Sequence, residues 1–302
     1  MIDDSKKNII SLDKWMGSII GLAIGDQLGS LTEGKARGSF EKVRGMDPGT
    51  FWTDDTSQAL CLADSLISTK KFDLNDQLKR YSKWLFEGYL SAKEWGYGCG
   101  PTARLAINNF IKKGKRSPVR NQSTNGALMR LCPVPLYYSN NLEEAIDKSG
   151  ESAKSTHDNP ICVDACRLYG SMIVKAVQKK DKDFILEYDQ KLWISNPLEK
   201  SIDIVAQGSF KEKNLSEIKG TLNISESIEA ALWTFTHSSS FAEGALMAVN
   251  MGDDADTTAA IFGQLAGGFY GYEAIPTEWR AKLLEKDLIE YIANKLYESR
   301  KI

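Results

Sequence analysis

Apolar residues recur three or four positions apart in eight stretches of the chain, at residues 15–28, 56–66, 74–89, 102–111, 142–152, 162–177, 227–236 and 241–249. That spacing puts them on one face of a helix with 3.6 residues per turn. Sustained two-residue alternation, the mark of a half-buried strand, is scarce. With only eight prolines and few hairpin dipeptides, the pattern predicts an all-α, compact multi-helix bundle. Two helical stretches carry a further regularity. Gly17, Gly21, Gly25 and Gly29 recur every fourth residue, and so do Ala259, Gly263, Gly267 and Gly271. Glycine inside a helix costs about 1 kcal/mol relative to alanine, so a smooth stripe predicts close backbone approach to another element as compensation. Both helices are therefore expected at the centre of the bundle. Chance clustering among 24 glycines is the alternative reading.

Periodicity lapses at residues 196–223, where Pro197, Gly208 and Gly220 interrupt a segment that still holds Ile202, Ile204, Val205 and Phe210. This predicts an irregular connection inside one domain, with residues 1–10 a flexible N-terminal tail and 11–302 the domain itself. At 302 residues and 42% hydrophobic content, the chain is able to bury one large core. The 38 Lys and Arg against 40 Asp and Glu give a net charge of −2, which indicates no broad attraction to nucleic acid or anionic membrane. The first residues lack an apolar signal core, and no apolar run is long enough to span a bilayer. Cys61, Cys99, Cys132, Cys162 and Cys166 form no CxxC pair and are odd in number. They read as reduced thiols of a soluble, cytoplasmic protein, with a monomer as the default.

The chemistry concentrates in two acidic clusters. Trp52-Thr53-Asp54-Asp55-Thr56-Ser57 leads into one helical run, and Gly252-Asp253-Asp254-Ala255-Asp256-Thr257-Thr258 leads into another. Ordinary capping explains one acid at a helix start. It does not explain two such clusters of like composition, because gathered carboxylates repel one another unless solvated, protonated or neutralised by a cation. Oxygen donors of this kind suit a hard cation such as Mg²⁺ or Mn²⁺. The second cluster also spells Asp-x-Asp-x-Thr, the signature of phosphatases that form an aspartyl-phosphate. That motif belongs after an early strand of a parallel α/β domain, whereas here it follows a helical stretch near the C-terminus.

Taken together, Gly21-Leu22-Ala23-Ile24-Gly25-Asp26-Gln27-Leu28-Gly29, the Trp52 to Ser57 segment, Asn125-Gly126-Ala127-Leu128-Met129-Arg130, Thr156-His157 and the Gly252 to Thr257 segment resemble, in order, the motifs of the ADP-ribosylglycohydrolase family, which includes the dinitrogenase reductase-activating glycohydrolases. The resemblance implies an all-α fold with a binuclear metal cleft and two divalent ions, Mg²⁺ or Mn²⁺. Carried over by motif, the implied ligands are Thr53, Asp54, Asp55, Asp254, Asp256 and Thr257. Asp253 stands where many relatives have glycine and is left out of the ligand set. Glu33 matches the family's acid on a mobile loop near the metals, although a solvated loop glutamate fits its spacing equally well. Glu33, Asp55 and Asp256 are the candidate catalytic residues. His157 matches a histidine beside bound ADP-ribose, and Ser123, Asn125 and Gly126 offer polar groups to phosphate or ribose. Trp95 and Tyr97 are candidates for the cleft wall, with plain aromatic packing the alternative.

The expected reaction is metal-dependent hydrolysis of the glycosidic bond between ADP-ribose and a modified protein side chain, nucleobase or small molecule, with ADP-ribose as product. One departure stands out. The family often carries an acid two residues before the Gly of its Gly-x-Thr segment, and Gly98 occupies that place in Gly98-Cys99-Gly100-Pro101-Thr102. Altered substrate choice, replacement by another acid, slower catalysis or an ADP-ribose reader without turnover are all compatible with this change. A metal-dependent phosphohydrolase is a further rival, separated by its product.

Overall fold

The computed structural model describes residues 10–178 and 181–301. All regular elements among them are helical. In chain order they are α1 (Leu12–Gly29), α2 (Asp54–Thr69), α3 (Leu74–Glu87), α4 (Pro101–Lys113), α5 (Pro133–Tyr137), α6 (Leu142–Ala153) and α7 (Pro160–Gln178). There follow α8 (Lys182–Ile185), α9 (Lys200–Ala206), α10 (Ile224–His237), α11 (Phe241–Val249), α12 (Ala255–Tyr270), α13 (Thr277–Lys282) and α14 (Lys286–Ser299). The only extended pairings among the described residues are two isolated bridges, Val119 with His157 and Thr124 with Asn223. The all-α expectation is met.

Local chemistry accounts for most helix boundaries. Ser11, Asp73, Asn141, Asn223 and Ser240 each cap a helix by accepting a hydrogen bond from a backbone N–H of the first turn. Pro101 opens α4, where its missing N–H costs nothing. Gly88 and Gly114 end α3 and α4 in the left-handed conformation. Gly88 thus stops α3 at Glu87, two residues before the limit that periodicity set. The segment 196–223 is an irregular connection as expected, with α9 and a single 3₁₀ turn (Leu215–Glu217) inside it. Ile202, Val205 and Phe210 are buried there, whereas Ile204 falls on the outer face of α9 and is exposed. The C-terminal helix α14 was absent from the expectation, although Ile289, Ile292, Ala293 and Leu296 carry the helical period and bury one face. The expected tail lies outside the described residues up to residue 9. Ile10 is buried, and its carbonyl accepts a hydrogen bond from the Tyr297 hydroxyl.

The core is organised around α1 and α12. Every residue from Trp15 to Gly29 and from Ala255 to Gly268 is buried, so neither helix presents a polar face. The two run antiparallel with their stripes in register. A Cβ on Gly21 would strike the carbonyl oxygen of Gly263, one on Gly25 that of Ala259, and one on Gly267 that of Gly17. No side chain separates the two backbones, which is the close approach that the stripes predict. The register continues into the acidic region, because a Cβ on Gly29 would strike the Cα of Asp256. The stripe therefore does more than pack the core: its last member sets Asp256 against the end of α1. A single apolar cluster extends from Ile10 to Leu296 around this pair, and a smaller one joins α2, α3 and α4.

Buried amides tie loops to this centre. The Gln264 amide on α12 donates to the carbonyls of Leu128 and Met129 and accepts from the Cys132 N–H. Gln27 on α1 donates to Lys282 O and accepts from Leu284 N, while the Trp52 indole donates to Leu284 O. The turn carrying Asn125 and the entry to α2 are thereby held from the core side.

Replacing Gly21 or Gly263 with alanine is expected to destabilise the protein by about 1–3 kcal/mol, the cost of overpacking a tight contact. This outweighs the roughly 1 kcal/mol that alanine gains in an isolated helix. Urea denaturation measures the difference, and a stabilised variant would mean that the two helices separate freely.

Candidate active site

The end of α1 and the starts of α2 and α12 meet in one place, and each delivers acids to it. Asp26 comes from the last turns of α1, Asp54 and Asp55 from the first turn of α2, and Asp254 and Asp256 from the start of α12. Asp26, Asp55 and Asp256 each offer a carboxylate oxygen within 4.8 Å of the other two, at 0%, 1% and 3% exposure. Thr53 and Thr257 lie beside them, also buried. The Thr53 hydroxyl is 3.4 Å and the Thr257 hydroxyl 3.5 Å from Asp55 Oδ2.

Capping does not account for these acids. Neither Thr53 nor Asp254, the N-cap residues of α2 and α12, makes a side-chain cap hydrogen bond, unlike the caps of α1, α3, α6, α10 and α11. For α2 that work is done from another helix. Asp26 accepts from the backbone N–H groups of Thr53 and Thr56 at 2.9 Å and from both their hydroxyls, at 2.9 and 2.6 Å. Its lone pairs are spent on orienting the first turn of α2, so Asp54 and Asp55 are released from that task. One oxygen of Asp55 and one of Asp256 are buried with no hydrogen-bond partner among the described residues. Asp26 was not among the candidate site residues. An acid on the buried side of a glycine-striped helix is the signal that marks it.

The carboxyls of Asp54, Asp55 and Asp256 stand well above the usual carboxylate range, through burial first and then through repulsion by neighbouring acids. Burial raises Asp26 and Asp254 to about 6 against the pull of their hydrogen bonds, which for Asp254 come first from Asn125. Asn125 Nδ2 donates to Asp254 Oδ2 at 2.5 Å, and Gln58 Nε2 donates to Asp54 Oδ2 at 3.1 Å. Arg130, fully buried on Gln58, Ser155 and Thr156, sits behind them.

A cleft of about 280 Å³ opens onto this cluster. Glu33, Asp54, Asp254, Asp256 and Thr257 line it together with Asn125, Gly126 and His157, and Thr53 and Asp55 adjoin these acids without lining it. The His157 ring lies against Gly126, where a Cβ would come within 3.1 Å of its Cε1 and Nε2. Its nitrogens meet the hydroxyls of Thr156 and Thr124. Burial, then the Arg130 charge, lowers its pKa to about 3, so the ring is neutral at neutral pH. Burial also raises the Glu33 carboxyl.

A sequence model of the ADP-ribosylglycohydrolase family matches residues 7–301. The chain belongs to this family. It is a hydrolase of glycosidic bonds that reverses ADP-ribosylation. It is similar to the ADP-ribosylarginine hydrolase Tri1 of Serratia proteamaculans (strain 568), at 31% identity over 95% of this chain and 80% of that protein. It is also similar to the ADP-ribosyl-[dinitrogen reductase] glycohydrolase of Rhodospirillum rubrum, at 26% identity over 90% of each. A solved structure described as an ADP-ribosylglycohydrolase-related protein complex superposes with a TM-score of 0.83 at 33% identity, over 95% of this chain and 98% of that one.

For this glycohydrolase the acid cluster passes the test of a divalent-cation site. The donors are all oxygens, two of those oxygens are buried without partners, and the clustered carboxyls are held far from their ordinary ionisation. Three of the expected substrate-binding residues do not line the cleft. Trp95 is exposed, and Tyr97 stacks edge-on against Phe51 at 5.3 Å. Gly96 between them packs on the end of α3, where a Cβ would lie 2.5 Å from the Leu85 Cα. Ser123 uses its backbone carbonyl to accept from Ile224 N. In their place the structure brings in Gly98, Cys99, Gly100, Pro101 and Thr102 from the start of α4, together with Thr124 and the exposed Leu222. Burial, then Asp54, pushes the Cys99 thiol to about 12, which leaves it no nucleophilic role at neutral pH. All five cysteines are free thiols. Gly98 has φ +83°, and a Cβ there would stand 2.7 Å from Asp54 Oδ1. The space an acid at position 98 would need is taken by the Asp54 carboxylate.

The raised carboxyls hold their protons more tightly in the folded chain than in the unfolded one. Their stabilising contribution is present below the unfolded value near 3.8 and is lost as pH rises through the folded one, about 6 for Asp26 and Asp254. In the presence of a chelator, Asp256→Asn is therefore expected to raise Tm at pH 8 and to change it little near pH 4. Thermal unfolding at the two pH values checks this, and equal shifts at both would show that the cluster carries no electrostatic strain.

Proposed function

We propose that this glycohydrolase removes ADP-ribose from arginine side chains of modified proteins, using two divalent ions, Mg²⁺ or Mn²⁺, held by Thr53, Asp54, Asp55, Asp254, Asp256 and Thr257 in a binuclear cleft. The observation that carries the metal-dependent part is the meeting of two uncapped acidic helix starts at one cleft, with buried carboxylate oxygens that no protein group satisfies. Relatives named as ADP-ribosylarginine hydrolases, at 31% identity over nearly the whole chain, support arginine as the leaving group. When bound, the ions supply positive charge that holds ribose hydroxyls and stabilises developing negative charge.

The rest of the chemistry belongs to the chain. Water adds its oxygen to the anomeric carbon as the bond from that carbon to the guanidine nitrogen breaks. The nitrogen leaves with the bonding electrons and takes up a proton, and the ribose passes through oxocarbenium character. Glu33, a carboxylate at the cleft wall outside the ligand set, accepts the water's proton. Asp55 and Asp256 fix where positive charge stands relative to the ribose. The neutral His157 ring and the Asn125-Gly126 turn form the wall for the sugar and phosphates. The uncapped first turn of α4 adds backbone N–H groups suited to the diphosphate. The chain is read as a single-domain enzyme, in keeping with its single main core, with a cytoplasmic monomer as the default. Among the described residues no helix is long and apolar enough to cross a membrane.

Incubation with arginine-, serine- and guanine-linked ADP-ribose, with and without Mg²⁺ or Mn²⁺, tests the reading by chromatography of the products. Free ADP-ribose is expected from the arginine-linked substrate only when metal is present, and Asp54→Ala or Asp256→Ala is expected to cut the rate at least about 100-fold. Release from another linkage would reassign the leaving group. Inorganic phosphate as product would favour a phosphohydrolase, and tight ADP-ribose binding with no release a reader. Full activity in either variant would end the metal assignment.

A further inference from the structure

The loop that follows α1 carries Glu33 to the cleft and is exposed from residue 33 to residue 39, between the buried Thr32 and the core residues Val43 and Met46. An open groove of about 810 Å³ runs beside the later part of the loop, lined by Arg37, Phe40, Val43, Met247 and Met251 among others. A second of about 790 Å³ lies along residues 31–48. Its position therefore rests on a few polar contacts. Thr32 donates from its hydroxyl to Val249 O at 2.8 Å. Gly34 N donates to Asp253 O, and Asp253 N donates to Lys35 O, each at 2.7 Å. Gly252, with φ +72°, allows this approach, since a Cβ there would lie 2.5 Å from Lys35 O.

Arg37 makes the next contacts, ahead of the Val43–Asn250 pair further along the loop, and its partners are unusual. The guanidinium donates to three backbone carbonyls, from Nε to Met251 O at 3.1 Å, from Nη1 to Leu215 O at 2.7 Å and from Nη2 to Ile218 O at 2.7 Å. No carboxylate pairs with it among the described residues. The segments it joins are those that carry the site. Met251 precedes the Asp254 turn, and the segment running on from Ile218 supplies Gly220 O to Asp254 N and Leu222 O to Asn125 N. A planar fork with donors in fixed directions is what allows one side chain to serve three carbonyls, and an ammonium does not reproduce it.

We propose that Arg37 is a positioning residue: its three-carbonyl tie joins the Glu33 loop to the Asp254 turn and to the 215–222 segment, and so sets where Glu33 stands above the acid cluster. This rests on the assignment of Glu33 as the proton acceptor. A side chain misplaced by about 1 Å costs up to about 100-fold in rate.

Hydrogen exchange and kinetics test the two parts separately. Arg37→Ala is expected to speed exchange of the backbone amides of Gly34 and Asp253 while leaving the amides of α1 and α12 protected, and unchanged exchange at Gly34 and Asp253 would overturn the tie. In ADP-ribose release, Arg37→Ala is expected to lower kcat about 10–100-fold with KM changed less than about threefold, and Arg37→Lys to recover only part of the loss. In a Glu33→Gln background, Arg37→Ala is expected to cost less than about twofold more, because it acts through Glu33. An equal loss in both backgrounds, or no loss of kcat in Arg37→Ala alone, overturns the positioning role. Full activity in Glu33→Gln alone would remove the assignment of Glu33 and with it the positioning role, while the exchange result would still report on the tie.

Discussion

The contact between α1 and α12 sets the geometry of everything else in the molecule. Two buried helices touch backbone to backbone along matched stripes, from Gly17 against Gly267 to Gly29 against Asp256. Because they run antiparallel, the C-terminal end of one lies at the N-terminal end of the other. The acid at the end of α1 and the acids at the start of α12 therefore meet. A larger residue anywhere along the stripe would push the helices apart and move Asp256 relative to Asp26. A helical site is more exact than one borne on loops because backbone contact leaves no side-chain freedom to absorb error.

That geometry creates an electrostatic problem and resolves part of it. Burying several carboxyls together is costly, and the raised pKa values of Asp26, Asp54, Asp55, Asp254 and Asp256 register the cost. Asp26 is compensated by the donors of Thr53 and Thr56. By capping α2 from α1, it couples the packing of two helices to the orientation of Asp54 and Asp55. Asp55 and Asp256 each keep one oxygen without such compensation among the described residues, and those oxygens are the part of the cluster that a cation would complete. Stability given up at this point is the usual price of a preorganised charged site.

The other wall of the cleft is built from loops pinned to the same core. Gln264 on α12 holds the turn after Asn125, and Asn125 in turn holds Asp254. The segment after Ile218 bridges the two, and Arg37 extends the network to the Glu33 loop. Rigid helices thus define the acid cluster, and a web of backbone carbonyls places the loops around it.

The helices, the two central stripes and the two acidic helix starts were legible in the sequence because each is a local pattern: a period of 3.6, a repeat of four, adjacent like charges. The family followed from the order of short motifs, and the match over residues 7–301 agrees with it. Local pattern could also have revealed α14, whose periodicity is clear. The role of Asp26 was not legible, because its partners Thr53 and Thr56 lie 27 and 30 residues away. The placement of Trp95 and Tyr97 off the cleft lining goes with how Gly96 meets α3, and the tolerance of Gly98 with where Asp54 points. The sequence by itself determined most of the long helical segments, which of them lie at the centre and what kind of chemistry the chain carries. Only the tertiary structure decided which acids are free to act and which are spent on holding others, because a hydrogen bond between distant residues leaves no trace in the spacing of either.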